Sequence, residues 1–229
     1  MRRLGKIIFL YIPAAYILCS VLLVVLLKWM PVIGTPVMLG RILQKSDDKV
    51  RVEYGWIPLE KVSPELMKAV VAAEDTKYFE HNGFAFEEIR KMAEEHARTG
   101  KPVRGCSTIS QQTAKNCFTF GTRTWVRKAF EAYYTFLIEK IWGKKRILEV
   151  YLNVAEMGPD IFGASRASQK YFGKPASGLS RSEAAALACS LPNPAKRNPS
   201  VSGKFLTKMR STVVKRITMI KYPDWVRKY

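Results

Sequence analysis

The chain has 229 residues, room for one anchoring segment and one globular domain. Its 38 Lys and Arg outweigh 19 Asp and Glu, a formal net charge of +19, which suits phosphate-bearing partners: anionic lipid headgroups, pyrophosphates or nucleic acid. Four cysteines without a C-x-x-C pair and two histidines argue against a zinc site and assign no disulfide.

The uncharged run from Ile7 to Leu27 would make about 30 Å of helix, enough to cross a hydrocarbon core. Cleavable secretion signals have shorter apolar cores and end in a small-residue cleavage site. Lys28-Trp29-Met30-Pro31 follows here instead, so a retained anchor over 7–27 is expected, with 1–6 cytoplasmic. Arg2, Arg3 and Lys6 precede the span while Lys28, Arg41 and Lys45 follow it, so the positive-inside rule leans only slightly to that orientation. Residues 28–61 read as a juxtamembrane connector, irregular or partly extended from Pro31, with Val50-Arg51-Val52-Glu53-Tyr54 strand-like.

From residue 62 to 229 the punctuation is helical, and the domain is expected to be mainly α. Ser63-Pro64-Glu65 supplies an N-cap, an N1 proline and an early acid for a helix through Ala73. Phe84 to Thr99 is apolar at helical spacing and stops at Gly100. Further helices are predicted for Thr108 to Phe118, Thr124 to Trp142 and Lys144 to Ala155. Ser180-Arg181-Ser182-Glu183 is a capping box, and Ser202 to Lys221 a basic amphipathic helix.

Three constellations carry chemistry. In the first, Glu74 and Asp75 end an apolar helix, where anions are disfavoured. A carboxyl held there against Val70, Val71, Tyr78 and Phe79 should resist ionisation and suit general acid or base work; the bland alternative is a solvated loop. Lys77 follows, and His81 before Asn82-Gly83 reads as fixing a turn. In the second, Gly105 and the hydroxyls after it open a helix whose free N–H groups could meet an anion. Ser107, Gln111 and Lys115 recur there on one polar face, beside Gln112 and Asn116. In the third, Arg123, Arg127 and Glu131 share a face, with Lys128 adjacent. Arginine forks match phosphate oxygens, and Glu131 is the only acid between Glu95 and Glu139.

These blocks resemble the signature of glycosyltransferase family 51. Glu74 to Gly83 follows E-D-x-x-F-x-x-H-x-G, with Tyr78 in place of Phe, and Gly105 to Gln112 follows G-x-S-T-x-x-Q-Q. Arg127, Lys128 and Glu131 match R-K-x-x-E, and Lys144 to Asn153 matches K-x-x-I-L-E-x-Y-L-N. Gly163 through Tyr171-Phe172-Gly173-Lys174 resembles the fifth block. The likeness is greatest to the monofunctional biosynthetic peptidoglycan transglycosylases.

The resemblance implies a lysozyme-like helical fold and lipid II as substrate, with the nascent glycan strand growing from it. It implies Glu74 as general base toward the acceptor 4-hydroxyl and Glu131 as a second catalytic carboxylate, near phosphate or a divalent cation (Mg²⁺ or Mn²⁺). Lys115 and Arg123 fall at the donor pyrophosphate, and Ser107, Gln111 and Gln112 along the cleft; Asp75, Lys77, Asn116, Arg127 and Lys128 join them as substrate contacts. It also implies the inner membrane, a catalytic domain outside it and contact with cell-wall synthesis proteins, while the basic helix from Ser202 to Lys221 is expected to touch anionic lipid. A peptidoglycan-cleaving enzyme is the nearest rival, since paired carboxylates also serve glycoside hydrolysis. Lys115, Arg123 and Arg127 would have no purpose where the leaving group is a sugar. No nucleic-acid motif occurs, so that partner is not expected. Ser46 to Lys49 matches S-x-x-K by accident, since no K-T-G follows.

Overall fold

A computed structural model describes residues 10–44, 51–100, 105–121, 124–201 and 203–227. The expected cytoplasmic segment 1–6, the start of the apolar run, the S-x-x-K match at 46–49 and Arg123 lie outside them. The first helix, α1 (Ile12–Leu27), is apolar throughout, and only its Ser20 and Val24 are buried. Among the described residues no helix is long and apolar enough to cross a membrane.

The stretch read as irregular contains a helix, α2 (Pro36–Gln44). Thr35 Oγ1 accepts the Met38 N–H (3.2 Å) and Pro36 opens the first turn, the same start signal as Ser63-Pro64. Gly40, a poor helix former at its centre, obscured the pattern. Only Glu53–Tyr54 (β1) of the strand-like stretch pairs, in parallel with β3 (Ile161–Phe162). β2 (Glu156–Gly158) flanks β3 antiparallel, giving the order β1-β3-β2.

The rest is helical, as expected: α3 (Pro64–Glu74), α4 (Phe86–Thr99), α5 (Ile109–Phe118), α6 (Trp125–Ile141), α7 (Gly143–Val154), α8 (Ala164–Phe172), α9 (Arg181–Ser190), α10 (Lys204–Ile217) and α11 (Asp224–Arg227). Ser63 Oγ accepts the Glu65 N–H (3.2 Å) at the start of α3. Gly100, at φ 65°, ends α4. The box at Ser180 closes both ways with Glu183.

Two groups of helices share one hydrophobic core. In one, α3 packs on α9, α10 and α11; in the other, α5 packs on α6, α7 and α2, and α1 lies on α6. Residues 184–190 of α9 are all buried, and its alanines let α3 approach closely. The C-terminal end of α3 meets α5 between the groups, where Asp75 accepts from the Ile109 N–H (3.0 Å). That junction positions the site.

Candidate active site

Glu74 is the last residue of α3, at the helix end that disfavours a negative charge. Its Oε2 accepts a hydrogen bond from Gln112 Nε2 (2.7 Å), while its Oε1 is buried with no partner among the described residues. Burial pushes the Glu74 carboxyl above its ordinary value, and the neighbouring Asp75 charge adds to the rise. The Gln112 bond, Lys115 and Arg197 oppose it. A carboxyl desolvated in this way is suited to hold or take a proton.

Asp75 faces inward. It accepts from the Ile109 N–H and from His81 Nε2, which lies 3.0 Å from both carboxylate oxygens. Gly83 donates its N–H to His81 Nδ1 (3.1 Å), so Nδ1 is the acceptor and Nε2 carries the hydrogen that reaches Asp75. The histidine fixes the turn, as its sequence context predicts. Gly83 is at φ 89°, and a Cβ there would stand 2.8 Å from Thr135 Cγ2, which explains the glycine that closes the block.

Gln112 links the carboxylate to the second constellation. Its Oε1 accepts from the Tyr151 hydroxyl (3.2 Å), which fixes which way the amide points. Burial keeps Tyr151 protonated, far above its ordinary range, and therefore a donor. Tyr151 matches the fourth block, yet spacing alone gave no reason to place it beside Glu74.

The helix that carries Lys115 differs from expectation at Gln111. Thr108 is the N-cap of α5, so Gln111 occupies N3 and its Oε1 accepts the Thr108 N–H (3.1 Å) in a capping box. Its buried side chain completes the helix start instead of joining the polar face. Ser107 precedes the helix and borders a small cavity with Glu74, Lys77 and Arg216. Lys77 itself pairs with Glu87 (3.0 Å) and Glu88 (3.3 Å).

On the other side of Gln112 opens a cavity of about 470 Å³, which Lys115, Asn116, Arg127 and Tyr151 also line. Arg41 of α2 reaches its rim and pairs there with Glu156 (2.9 Å), a contribution the connector reading missed. Burial lowers the Lys115 ammonium, and the Glu131 charge opposes that fall. Glu131 is buried: Arg127 Nη1 donates to one oxygen (2.7 Å) and Lys128 Nζ contacts the other. The ion pair forms despite the less favourable order of cation before acid. Both oxygens of Glu131 thus face cations, and among the described residues no three His, Cys, Asp or Glu side chains converge. A divalent cation on Glu131 does not fit these surroundings.

Glu74, Gln112, Lys115, Asn116, Arg127, Lys128 and Glu131 are therefore gathered about one junction of α3, α5 and α6, with Asp75 bracing it. A desolvated carboxylate beside a cavity lined by lysine and arginine is the arrangement of an enzyme that moves a proton next to an anionic group. Residues 40–218 match the family model described as transglycosylase, and the chain belongs to that family. It is 42% identical over 212 residues to a Bacteroides thetaiotaomicron protein named biosynthetic peptidoglycan transglycosylase, covering 91% of this chain and 85% of that one. A Rhodospirillum centenum protein of the same name is 40% identical over 221 residues, 96% of this chain and 92% of its own. A third, from Caulobacter vibrioides, is 41% identical over 215 residues, 94% and 92% of the two chains.

Proposed function

We propose that the chain is a peptidoglycan glycosyltransferase of lysozyme-like fold that polymerises lipid II into glycan strands at the outer face of the cytoplasmic membrane. The observation that carries the reading is the buried Oε1 of Glu74, without a partner among the described residues, beside Gln112 and the cation-lined cavity. The acceptor's 4-hydroxyl gives its proton to the Glu74 carboxylate as it attacks the donor's anomeric carbon. The bond from that carbon to the pyrophosphate oxygen breaks with inversion, and undecaprenyl pyrophosphate leaves with the electron pair. Lys115 and Arg127, held beforehand by the protein, stabilise the charge that develops on the leaving group, and Arg123 is assigned to the same anion. Glu131 acts behind them by holding Arg127 and Lys128, and Asp75 by holding the end of α3 against α5.

The substrate's lipid tail keeps it in the bilayer, and the apolar run 7–27 is proposed to anchor the enzyme there, catalytic domain outside. The exposed Ile17, Leu18, Leu22 and Leu26 of α1 support that role. The test is incubation of detergent-solubilised protein with lipid II. Wild type should make polymer, while Glu74→Gln and Lys115→Ala each lose about 10²-fold or more, the usual share of a general base or a charge-stabilising donor. Soluble fragments released from finished peptidoglycan, without polymer, would overturn the reading in favour of a cleaving enzyme.

A further inference from the structure

Tyr16, Ser20, Val24 and Leu27 recur along one face of α1, and each meets a polar group of α6 or of the segment that follows it. The hydroxyls of Tyr16 and Tyr134 lie 3.0 Å apart, and those of Ser20 and Tyr133 2.7 Å apart. Trp142 Nε1–H donates to the Val24 carbonyl (2.7 Å). Arg146 donates to the Leu27 carbonyl through Nη2 (2.7 Å) and Nε (3.2 Å), and its Nη2 also reaches Met30 O. Val24 and Leu27 belong to the last turn of α1, whose carbonyls have no partner within the helix, so Trp142 and Arg146 together cap it. The chain beyond is pinned too: Tyr54 donates its hydroxyl to Val32 O, and Arg41 pairs with Glu156.

A flexible tether would need none of these bonds. The same α6 that carries Tyr133 and Tyr134 also carries Arg127 and Glu131. Tyr134 stacks on Phe118 (centroids 4.4 Å apart, planes at 8°), the last residue of α5, which bears Gln112 and Lys115. The seam is thus joined through two helices to the cations of the cleft. We propose that it is a rigid coupling, in which Tyr133, Tyr134, Trp142 and Arg146 are positioning residues that hold the cleft at one height and tilt against the bilayer. This rests on the glycosyltransferase reading and on α1 as anchor. A pyrophosphate at the end of a membrane-embedded tail is presented at a fixed depth, and only a cleft held at that depth meets it. If α1 swivels, a fraction of molecules is competent, and the apparent KM rises by the reciprocal of that fraction.

The test uses the full chain and the triple variant Tyr133→Phe, Tyr134→Phe, Trp142→Phe. It keeps aromatic rings at all three positions, removes three polar ties and leaves Arg146 as a pivot. Both proteins are assayed on lipid II in phospholipid vesicles and on a short-chain, water-soluble lipid II in detergent. KM for the vesicle-borne substrate should rise about tenfold with kcat kept, while both constants for the soluble substrate stay within about twofold. Equal losses on both substrates would reduce the seam to a support of the fold, and unchanged kinetics on both would make it dispensable; either overturns the proposal. Wild type that polymerised neither substrate would instead sink the glycosyltransferase reading.

Discussion

Glu74 joins two features that work against folding: a carboxylate at the negative end of a helix, and a buried oxygen with no hydrogen-bond donor among the described residues. Burial raises its pKa above the ordinary 4.5, so the folded protein favours the protonated form more than the unfolded chain does. Above the folded-state value the buried charge costs stability. The cost fades as pH falls from there toward 4.5, and below that both states are protonated and it is gone. Glu74→Gln should therefore melt higher than wild type at pH 7, by about 2–4 °C per kcal/mol relieved, with the gap closing near pH 4. Thermal unfolding followed by circular dichroism at the two pH values checks this, and a variant less stable at pH 7 would count against the desolvated carboxylate. The placement of Glu74 was legible, because adjacent acids after an apolar helix are rare enough to ask for a reason. Gln111 was misread, although its signal was present: Thr108 stands three residues before it, and a capping box uses that spacing. Tyr151 was beyond reach, since its bond to Gln112 spans 39 positions.

At the scale of elements, local chemistry announced the starts of α3 and α9, which Ser63 and Ser180 cap as expected, while Thr108 and Thr124, expected as first helical residues, are the N-caps of α5 and α6. Strands β2 and β3 left no such trace: two or three residues are too few for a periodic pattern, and their pairing comes from the turn between them. Two glycines separate local from tertiary causes. Gly163, at φ 83°, precedes α8, and a Cβ there would lie 2.4 Å from the Asn153 carbonyl oxygen. That oxygen belongs to the backbone of α7, at a residue whose side-chain amide accepts the Ile57 N–H (2.8 Å) and donates to the Ile57 carbonyl (2.9 Å), so moving it aside would disturb those bonds. Gly163→Ala should cost about 3 kcal/mol or more, strain and clash together. Gly40 sits inside α2 with nothing within 4 Å of its added Cβ, so Gly40→Ala should add about 1 kcal/mol through helix propensity. Denaturant midpoints of the two variants, measured in detergent, should move in opposite directions. A loss on Gly40→Ala would speak against a helix at Pro36–Gln44.

At the scale of the whole molecule, composition pointed to an anchored, basic, helical protein, but the borders between its parts follow packing that spacing does not reveal. Val24, Val32, Met38 and Leu59 all belong to the single core, though each lies before residue 62, where the helical punctuation begins. Their partners are remote in sequence: the Val24 carbonyl meets Trp142, and Leu59 donates its N–H to Glu149 (3.0 Å). β1 is likewise held from afar, with the Glu53 N–H donating to Asp160 O (2.9 Å). The family match starting at residue 40 agrees that the folded unit extends upstream of 62. Burying Val32, Met38 and Leu59, which lie outside the apolar run, is worth about 1.5–3 kcal/mol each. Together they rival the whole stability of a domain, about 5–15 kcal/mol. A chain cut to begin at residue 62 should therefore lose its cooperative thermal transition. One that begins at residue 28 keeps Val32, Met38, Leu59 and β1, so it should melt cooperatively but lower than the full protein, because Trp142 and Arg146 lose the carbonyls of α1 that they cap. Calorimetry in detergent distinguishes the three chains. If the chain from residue 62 melted at the temperature of the intact protein, the upstream segments would be appended to the core and not part of it.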